Sequence, residues 1–239
     1  MNENQQQHID IRRAVAEHRR AVAEHRRAVA EHCRAMLRAG LTTGSGGNIS
    51  VRLSQEDMMC ISPSGIPYEQ LRAESVTVCR FDGSVVEGDA LPSSELAMHA
   101  AVYRARDDAQ AIVHTHSPYA TTFACLREAI PATHYLVGFA GTQVPVAPYA
   151  TYGSAELATN AVATLGKEYH ATLLANHGLL ALASTLERAF AIAEEVELVA
   201  RVHYQARCIG TPVVLDDEEM RRVIEKFRDY GVRSGRERR

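Results

Sequence analysis

The stretch IVHTHS, residues 112–117, predicts a short strand that ends in two histidines. Side chains alternate along a strand, so His114 and His116 are expected to project from the same face, two residues apart. Two imidazole rings at this spacing can bind one metal ion. A His-x-His pair by itself is a weak signal, because it also occurs as two ordinary strand residues.

A second apolar segment strengthens the metal hypothesis. LLANHGLLAL, residues 173–182, places His177 in an Asn-His-Gly turn between two predicted buried strands. A polar ring framed by buried chain needs partners. Three histidines without cysteine ligands are typical of a catalytic zinc site, which keeps one position open for water or substrate. We therefore predict a Zn²⁺ site, one ion per subunit, which Mn²⁺, Fe²⁺ or Co²⁺ could also occupy.

Three loops of small residues suggest a site for an anion. PSSE, residues 92–95, puts two serines at the start of a predicted helix, where exposed N–H groups attract negative charge. Glu95 itself could be catalytic or could merely complement the helix dipole. LTTGSGGNIS, residues 41–50, and SPSG, residues 62–65, allow close backbone approach to a phosphate. Neither loop has the lysine of a P-loop or the GxGxxG spacing, which disfavours nucleotide binding.

The rest of the chain alternates predicted strands with predicted helices, which indicates a mixed α/β fold with helices covering a sheet. SVTVCRF and SVVEG flank Asp82-Gly83, a dipeptide that favours a type I′ hairpin. A helix is expected to follow an N-cap at Ser93 or Ser94. A long helix is expected to begin at the capping box Ser184–Glu187 and to stop at Gly210.

The N-terminal region carries three identical copies of RRAVAEH, residues 12–32. Charges three and four residues apart favour an exposed helix. Only one of the two seam positions of each heptad is apolar, which disfavours a coiled coil. The repeated histidines are seven residues apart, not the four that bring two metal ligands together. We interpret residues 1–26 as a helical extension with little function and residues 27–239 as one domain; a self-association arm remains an alternative.

Composition limits the class of protein. The chain has 239 residues, 46% hydrophobic and 23% charged, with a net charge of −3, which is typical of a globular domain that binds no nucleic acid. No apolar run is long enough to span a membrane, and the polar start is not a signal peptide. Five scattered cysteines without a CxxC pair suit a reducing compartment. We expect a cytoplasmic protein without a membrane partner.

Eight motifs occur in an order that resembles the class II aldolase and adducin head family, and within it the L-fuculose-phosphate aldolase branch most closely. They are GSGGNISVR, ISPSG, PSSE, HTH, THY, APYATYG, NHG and FRDYG, and they span about residues 27 to 233. The resemblance implies a three-layer α/β/α domain with a largely antiparallel sheet. It also implies a homotetramer with cyclic symmetry and with sites between subunits.

The resemblance assigns roles to residues. It makes His114, His116 and His177 the zinc ligands, and Glu95 the catalytic acid/base that also approaches the metal when substrate is absent. It makes Tyr135 a proton donor that reaches into a neighbouring subunit's site. The residues implied around the substrate phosphate are Gly47, Asn48, Ser64, Gly65, Ser93 and Ser94. Those implied to shield the substrate are Phe227 and Tyr230, together with Tyr152, which stands where phenylalanine is expected.

The activity implied is cleavage of a ketose 1-phosphate, similar to L-fuculose 1-phosphate, into dihydroxyacetone phosphate and a short aldehyde such as lactaldehyde. L-Ribulose-5-phosphate 4-epimerases of the same family are the nearest alternative. They are expected to carry an aspartate just after the Thr-His pair, whereas Thr133-His134 is followed by no carboxylate until Glu156. Dehydratases and decarboxylases acting on phosphorylated sugars reuse the same histidines and remain open. A non-enzymatic adducin-like head would predict loss of histidines that are all present.

Overall fold

The computed structural model describes residues 3–53 and 57–229. Eight strands form one sheet: β1 (Asn48–Leu53), β2 (Met58–Ile61), β3 (Thr77–Arg80), β4 (Val85–Glu87), β5 (Ala111–Thr115), β6 (Val146–Ala147), β7 (Ala171–Leu174) and β8 (Gly178–Ala183). Their order across the sheet is β4-β3-β2-β1-β5-β8-β7-β6. All neighbours pair antiparallel except β6 and β7, which pair parallel.

Six α-helices cover the two faces of this sheet: α1 (Glu3–Arg38), α2 (Leu96–Ala105), α3 (Pro118–Leu126), α4 (Ala155–Leu165), α5 (Leu186–Ile209) and α6 (Asp217–Asp229). Buried side chains of α1, α3, α5 and α6 share one hydrophobic core with one face of the sheet. Those of α2 and α4 share a second core with the other face. The predicted three-layer α/β/α domain with a largely antiparallel sheet is therefore confirmed. Within the described ranges, no helix is both long and apolar enough to cross a membrane.

The alternation of side chains in the central strands decides on which side the candidate site lies. Ile49 and Val51 of β1 pack into the core of α1 and α5, so their neighbours Asn48 and Ser50 point to the α2 side. Asn48 pairs with His114 across the β1–β5 ladder. Strand register thus brings the histidine segment and the glycine-rich loop before β1 together at one end of the sheet.

The β3–β4 hairpin forms as predicted, but its turn is not type I′. Of Asp82 and Gly83, only the glycine has a positive φ, of 94°. The N–H of Gly83 donates to the Arg80 carbonyl, and the N–H of Arg80 donates to the Ser84 carbonyl. This is a three-residue loop with a glycine bulge. The Asp82 carboxylate accepts from the backbone N–H of Ser84 at 2.9 Å, which stabilises the wider turn.

Two predicted helix starts are shifted along the chain. Helix α2 is capped at Glu95 rather than at Ser93 or Ser94. The Ser93 N–H donates to the Ser62 carbonyl at 3.1 Å, and the Ser94 N–H donates to Ser64 Oγ at 3.3 Å, so both serines are tied to the neighbouring loop.

Helix α5 has Thr185, not Ser184, as its N-cap. The Thr185 hydroxyl accepts from the Arg188 N–H at 3.2 Å. Because the third residue after Thr185 is an arginine, the predicted capping box does not form, and only a side-chain N-cap is present, one residue later than predicted. The helix ends at Gly210 as predicted.

The three identical heptads lie in three different environments along α1. The valine of the third copy, Val29, is fully buried, and Val22 of the second copy is 4% exposed. Val15 of the first copy is 47% exposed. Arg26 also reaches the sheet, with its Nη1 at 2.7 Å from Glu87 Oε1. Tertiary packing therefore involves the third copy and one face of the second.

Deletion of the first heptad, residues 12–18, is expected to leave the free energy of unfolding unchanged within about 0.5 kcal/mol, since exposed positions contribute little. Deletion of residues 12–25 places His8 in the heptad position of Val22 and is expected to cost about 1–2 kcal/mol through lost apolar burial. Both variants should keep assembly and activity. Urea unfolding and size-exclusion chromatography measure these outcomes. Loss of assembly on deletion of residues 12–18 would instead make the repeat an association arm.

Candidate functional site

Three histidines converge at the end of the sheet. His114 is the second-last residue of β5 and has a buried ring, His116 follows the strand, and His177 lies in the turn between β7 and β8. The ring centroids are 4.8 to 5.2 Å apart. One nitrogen of each ring can serve as a ligand, with all three nitrogens within 4.8 Å of one another. The structure thus brings together all three predicted metal ligands.

Backbone geometry fixes the orientation of this triad. His114 Nδ1 lies 2.9 Å from the Leu179 carbonyl, to which it can only donate, so its Nε2 lone pair faces the other two rings. A Cβ on Gly178 would overlap the Thr115 carbonyl, and a Cβ on Gly47 would overlap the His114 carbonyl. Gly47 also has a φ of 68°. Both glycines are therefore required for the close approach of the two loops to β5.

Glu95 joins the triad from the start of α2. Its Oε2 lies 3.1 Å from His114 Nε2, and its Oε1 lies 3.5 Å from His177 Nε2. Asn48 Nδ2 donates to Oε2 at 2.8 Å, whereas Oε1 is buried without a hydrogen-bond partner. His114 Nε2 is also 3.1 Å from His116 Nε2. Several lone pairs thus converge on one point, an arrangement that a bound cation would satisfy.

The electrostatics of the site favour the unprotonated forms of His116, His177 and Glu95. Burial, reinforced by the neighbouring His114, lowers the pKa of His116 and of His177 to about 4. Burial acts to raise the pKa of Glu95, but the adjacent His114 and His177 and the hydrogen bond from Asn48 hold that pKa well below its usual range. For His114, burial is outweighed by the Glu95 carboxylate, so its pKa is raised.

A cleft of about 370 Å³ opens beside the triad, a size suited to a small ligand. It joins His116, His177 and Glu95 to the six residues predicted around a phosphate: Gly47, Asn48, Ser64, Gly65, Ser93 and Ser94. Among the described residues, no lysine or arginine lines this cleft. An anion bound here would be held by backbone N–H and hydroxyl groups.

Tyr149 and Asn176 line the cleft but were not among the predicted site residues. Tyr149 lines it together with Tyr152, and both side chains are more than half exposed. Tyr149 belongs to the same APYATYG motif as Tyr152, and that motif could have identified it as a residue of the cleft. Asn176 also lines the cleft, and its Oδ1 accepts from Arg127 Nε at 3.0 Å. The backbone of Asn176 has a left-handed φ of 54°, directly before the predicted metal ligand His177.

Of the predicted aromatic residues, Tyr152 lines the cleft, whereas Tyr135 and Phe227 lie elsewhere in the chain. Tyr135 begins a 3-10 helix, Tyr135–Phe139, which packs against α6. The ring of Phe227 lies 6.1 Å from that of Tyr135 and 4.6 Å from that of Phe139. Neither Tyr135 nor Phe227 lines the cleft of its own chain, and Tyr135 is 49% exposed. Tyr230 lies outside the described residues.

Comparisons with known proteins agree with this geometry. The profile of the family described as "Class II Aldolase and Adducin N-terminal domain" matches residues 27–204. A 5-deoxy-D-ribulose 1-phosphate aldolase of Bacillus thuringiensis serovar kurstaki is 46% identical over 196 residues, which cover 82% of this chain and 92% of the relative. The L-fuculose phosphate aldolase of Escherichia coli K12 is 44% identical over 200 residues, which cover 83% and 91%.

A solved structure gives the same result. An L-fuculose 1-phosphate aldolase superposes with a TM-score of 0.83 at 46% identity, covering 86% of this chain and 96% of the other. Proteins that share this much sequence over most of both chains share their fold and their class of reaction. The chain belongs to the class II aldolase and adducin N-terminal domain family, and it is a lyase of the aldolase type.

Proposed function

We propose that the chain cleaves a ketose 1-phosphate between C3 and C4 to give dihydroxyacetone phosphate and a short aldehyde such as lactaldehyde. The observation that carries the proposal is the composition of one cleft. Neutral donors suited to a phosphate line it together with a buried carboxylate and histidines able to hold a metal. Two of the relatives described above are named for two such substrates, 5-deoxy-D-ribulose 1-phosphate and L-fuculose phosphate.

His114, His116 and His177 would hold the metal, with Glu95 as a further ligand when substrate is absent. Zn²⁺ fits a set of three neutral imidazoles with an open position, and Mn²⁺, Fe²⁺ or Co²⁺ are the alternatives. When bound, such an ion polarises the substrate carbonyl and stabilises the negative charge that develops on its oxygen. At pH 7 the rings of His116 and His177 are neutral, so neither ring has to lose a proton when the metal binds.

The residues of the chain would carry the proton transfers. The loops containing Gly47, Ser64 and Ser93 hold the phosphate and so orient the carbon chain toward the histidines. Tyr135 acts as the phenolate, its own proton having passed through solvent to the Glu95 carboxylate. It takes the proton of the C4 hydroxyl, and the C3–C4 bond then breaks to release the aldehyde. The electron pair left at C3 is quenched by a proton from Glu95. In the direction of synthesis, Glu95 removes that proton and Tyr135 returns one to the aldehyde oxygen.

The proposal includes a homotetramer with sites shared between subunits. Tyr135 is half exposed and belongs to an aromatic cluster outside its own cleft. Tyr135, Phe227 and Tyr230 would therefore serve the site of a neighbouring copy, where the aromatic side chains exclude water from the aldehyde. All five cysteines are free thiols, which suits a cytoplasmic enzyme.

Turnover of a small set of substrates by zinc-loaded protein tests the proposal. The substrates are the 1-phosphates of L-fuculose, L-rhamnulose, D-ribulose and 5-deoxy-D-ribulose, with L-ribulose 5-phosphate as the epimerase control. We expect at least one 1-phosphate to release dihydroxyacetone phosphate, detected with a coupled dehydrogenase. Conversion of L-ribulose 5-phosphate alone, without release of any triose, would overturn the aldolase assignment in favour of an epimerase.

A further inference from the structure

A continuous row of buried polar groups runs from Glu95 into the layer between α2 and the sheet. Glu95, His99 and Tyr103 are spaced four residues apart on α2 and its cap, and Asn48 and Ser50 are two residues apart on β1. Four helical residues rise about 6 Å, and two strand residues rise about 6.8 Å. Because these distances nearly match, the helix groups and the strand groups stay in step and meet one after another. We call these five residues the polar row.

Four hydrogen bonds join the polar row. Asn48 Nδ2 donates to Glu95 Oε2 at 2.8 Å. On its other side, Asn48 Oδ1 lies 2.6 Å from His99 Nε2. The Ser50 hydroxyl lies 2.7 Å from His99 Nδ1 and 2.8 Å from the Tyr103 hydroxyl.

The carboxylate end fixes the position of every proton in the row. An ionised carboxylate only accepts, so Asn48 must turn its NH₂ group to Glu95 and its oxygen to His99. His99 then donates from Nε2, which leaves Nδ1 to accept from the Ser50 hydroxyl. The Ser50 oxygen in turn accepts from Tyr103. The reversed order would place the oxygen of Asn48 against the oxygen of Glu95.

Burial makes this order rigid. Ser50, His99 and Tyr103 are fully buried, so each unsatisfied group would carry a desolvation cost. Burial also lowers the pKa of His99 to about 3, which keeps the ring neutral with a single N–H. The row holds only one oxygen of Glu95. The other, Oε1, is buried, has no hydrogen-bond partner, and lies toward His177.

We propose that His99 is a positioning residue for the acid/base step: through Asn48 it fixes Glu95 Oε2 in place and leaves Oε1 as the oxygen that transfers the proton. Ser50 and Tyr103 supply the donors that satisfy the other end of the row, at His99 Nδ1 and at the Ser50 oxygen. The inference rests on the proposed function, because it assigns the proton transfer to one atom of Glu95.

A matched pair of variants at position 99 tests the role in turnover. His99→Leu fills the space without an N–H, whereas His99→Gln keeps a side-chain N–H that can donate to Asn48. We expect His99→Leu to lower kcat about 10- to 100-fold, because a misplaced acid/base group is costly. KM should change by less than about threefold, since the phosphate loops are untouched, and His99→Gln should restore most of kcat. Equal kcat for wild type and for metal-loaded, folded His99→Leu would overturn the proposal.

A second measurement does not depend on activity. In ¹⁵N NMR spectra of wild type, His99 should show a protonated Nε2 and an unprotonated Nδ1. The opposite tautomer would overturn the polar row even in an active enzyme. If wild type released no dihydroxyacetone phosphate from any substrate, the proposed function would fail, while this spectrum would still decide the order of protons.

Ser50→Ala replaces His99→Leu as the decisive variant if the latter does not fold. The change removes one hydroxyl and leaves the His99 ring in place. We expect His99 to keep its proton on Nε2, because Asn48 still accepts from it, and kcat to fall about threefold or more, because the buried Nδ1 has lost its donor. A wild-type kcat in the folded variant would contradict the proposal.

Discussion

Glu95→Gln is expected to lower kcat about 10²- to 10⁴-fold, which is the usual contribution of a positioned acid/base group. Glutamine has nearly the same volume and can still accept the hydrogen bond from Asn48. Its NH₂ group would then take the place of Oε1, the buried oxygen without a partner, and an amide cannot carry the proton there. Metal content should persist, because three histidines remain.

The most direct measurement on this variant is proton exchange of dihydroxyacetone phosphate, which needs no aldehyde. Wild type incubated with dihydroxyacetone phosphate in deuterium oxide should exchange one proton at the carbon that forms the new bond, and Glu95→Gln should lose most of that exchange. NMR of the recovered triose measures it. Glu87→Gln is the matched control, because it removes an exposed carboxylate that pairs with Arg26, far from the cleft. Near-normal exchange by Glu95→Gln would show that Glu95 is not the catalytic acid/base.

The metal triad could be predicted from the sequence because its signals are local. The period of two along β5 places His114 and His116 on one face. The Asn-His-Gly turn between two apolar strands marked His177 as a further candidate, but the pairing of β8 with β5 is what brings it beside them. Residue order alone also indicated the loops of the cleft, since each motif is short and glycine-rich or serine-rich.

The parts that could not be predicted depend on contacts between distant segments. Ser93 and Ser94 are sound N-caps by local preference, yet both are hydrogen-bonded to the loop of Ser62 and Ser64, and the helix begins only after Glu95. The polar row is a second case. Ser50 looks like an ordinary strand residue until α2 is packed on β1, and nothing in the order of residues sets that packing.

The three heptads show a related limit. Identical sequence gives a buried Val29 and an exposed Val15, since burial depends on where the sheet ends rather than on the heptad itself. The position of residues 12–32 relative to the sheet edge was not readable from the repeat.

Removal of the metal by a chelator is expected to lower aldolase activity about a thousandfold or more, since a bound cation contributes several kcal/mol to the developing charge and each tenfold in rate is about 1.4 kcal/mol. The fold should persist, because His114 is held by the Leu179 carbonyl and Glu95 by Asn48 without help from an ion. Circular dichroism checks the fold, and assays with added Zn²⁺, Mn²⁺, Fe²⁺ or Co²⁺ show which ion restores turnover.

A substitution tests the same prediction without a chelator, so that inhibition by the chelator itself cannot explain the result. His116→Ala removes the most exposed ligand of the triad and should give protein with little bound metal and with activity that no added ion restores. His25→Ala, a half-buried histidine of α1 far from the cleft, should behave as wild type in both assays. Because the buried Oε1 of Glu95 and two ring nitrogens face one another at close range, the metal-free protein should also unfold at a lower temperature than the loaded protein. Full activity in protein shown to be free of metal would refute the triad as a catalytic metal site.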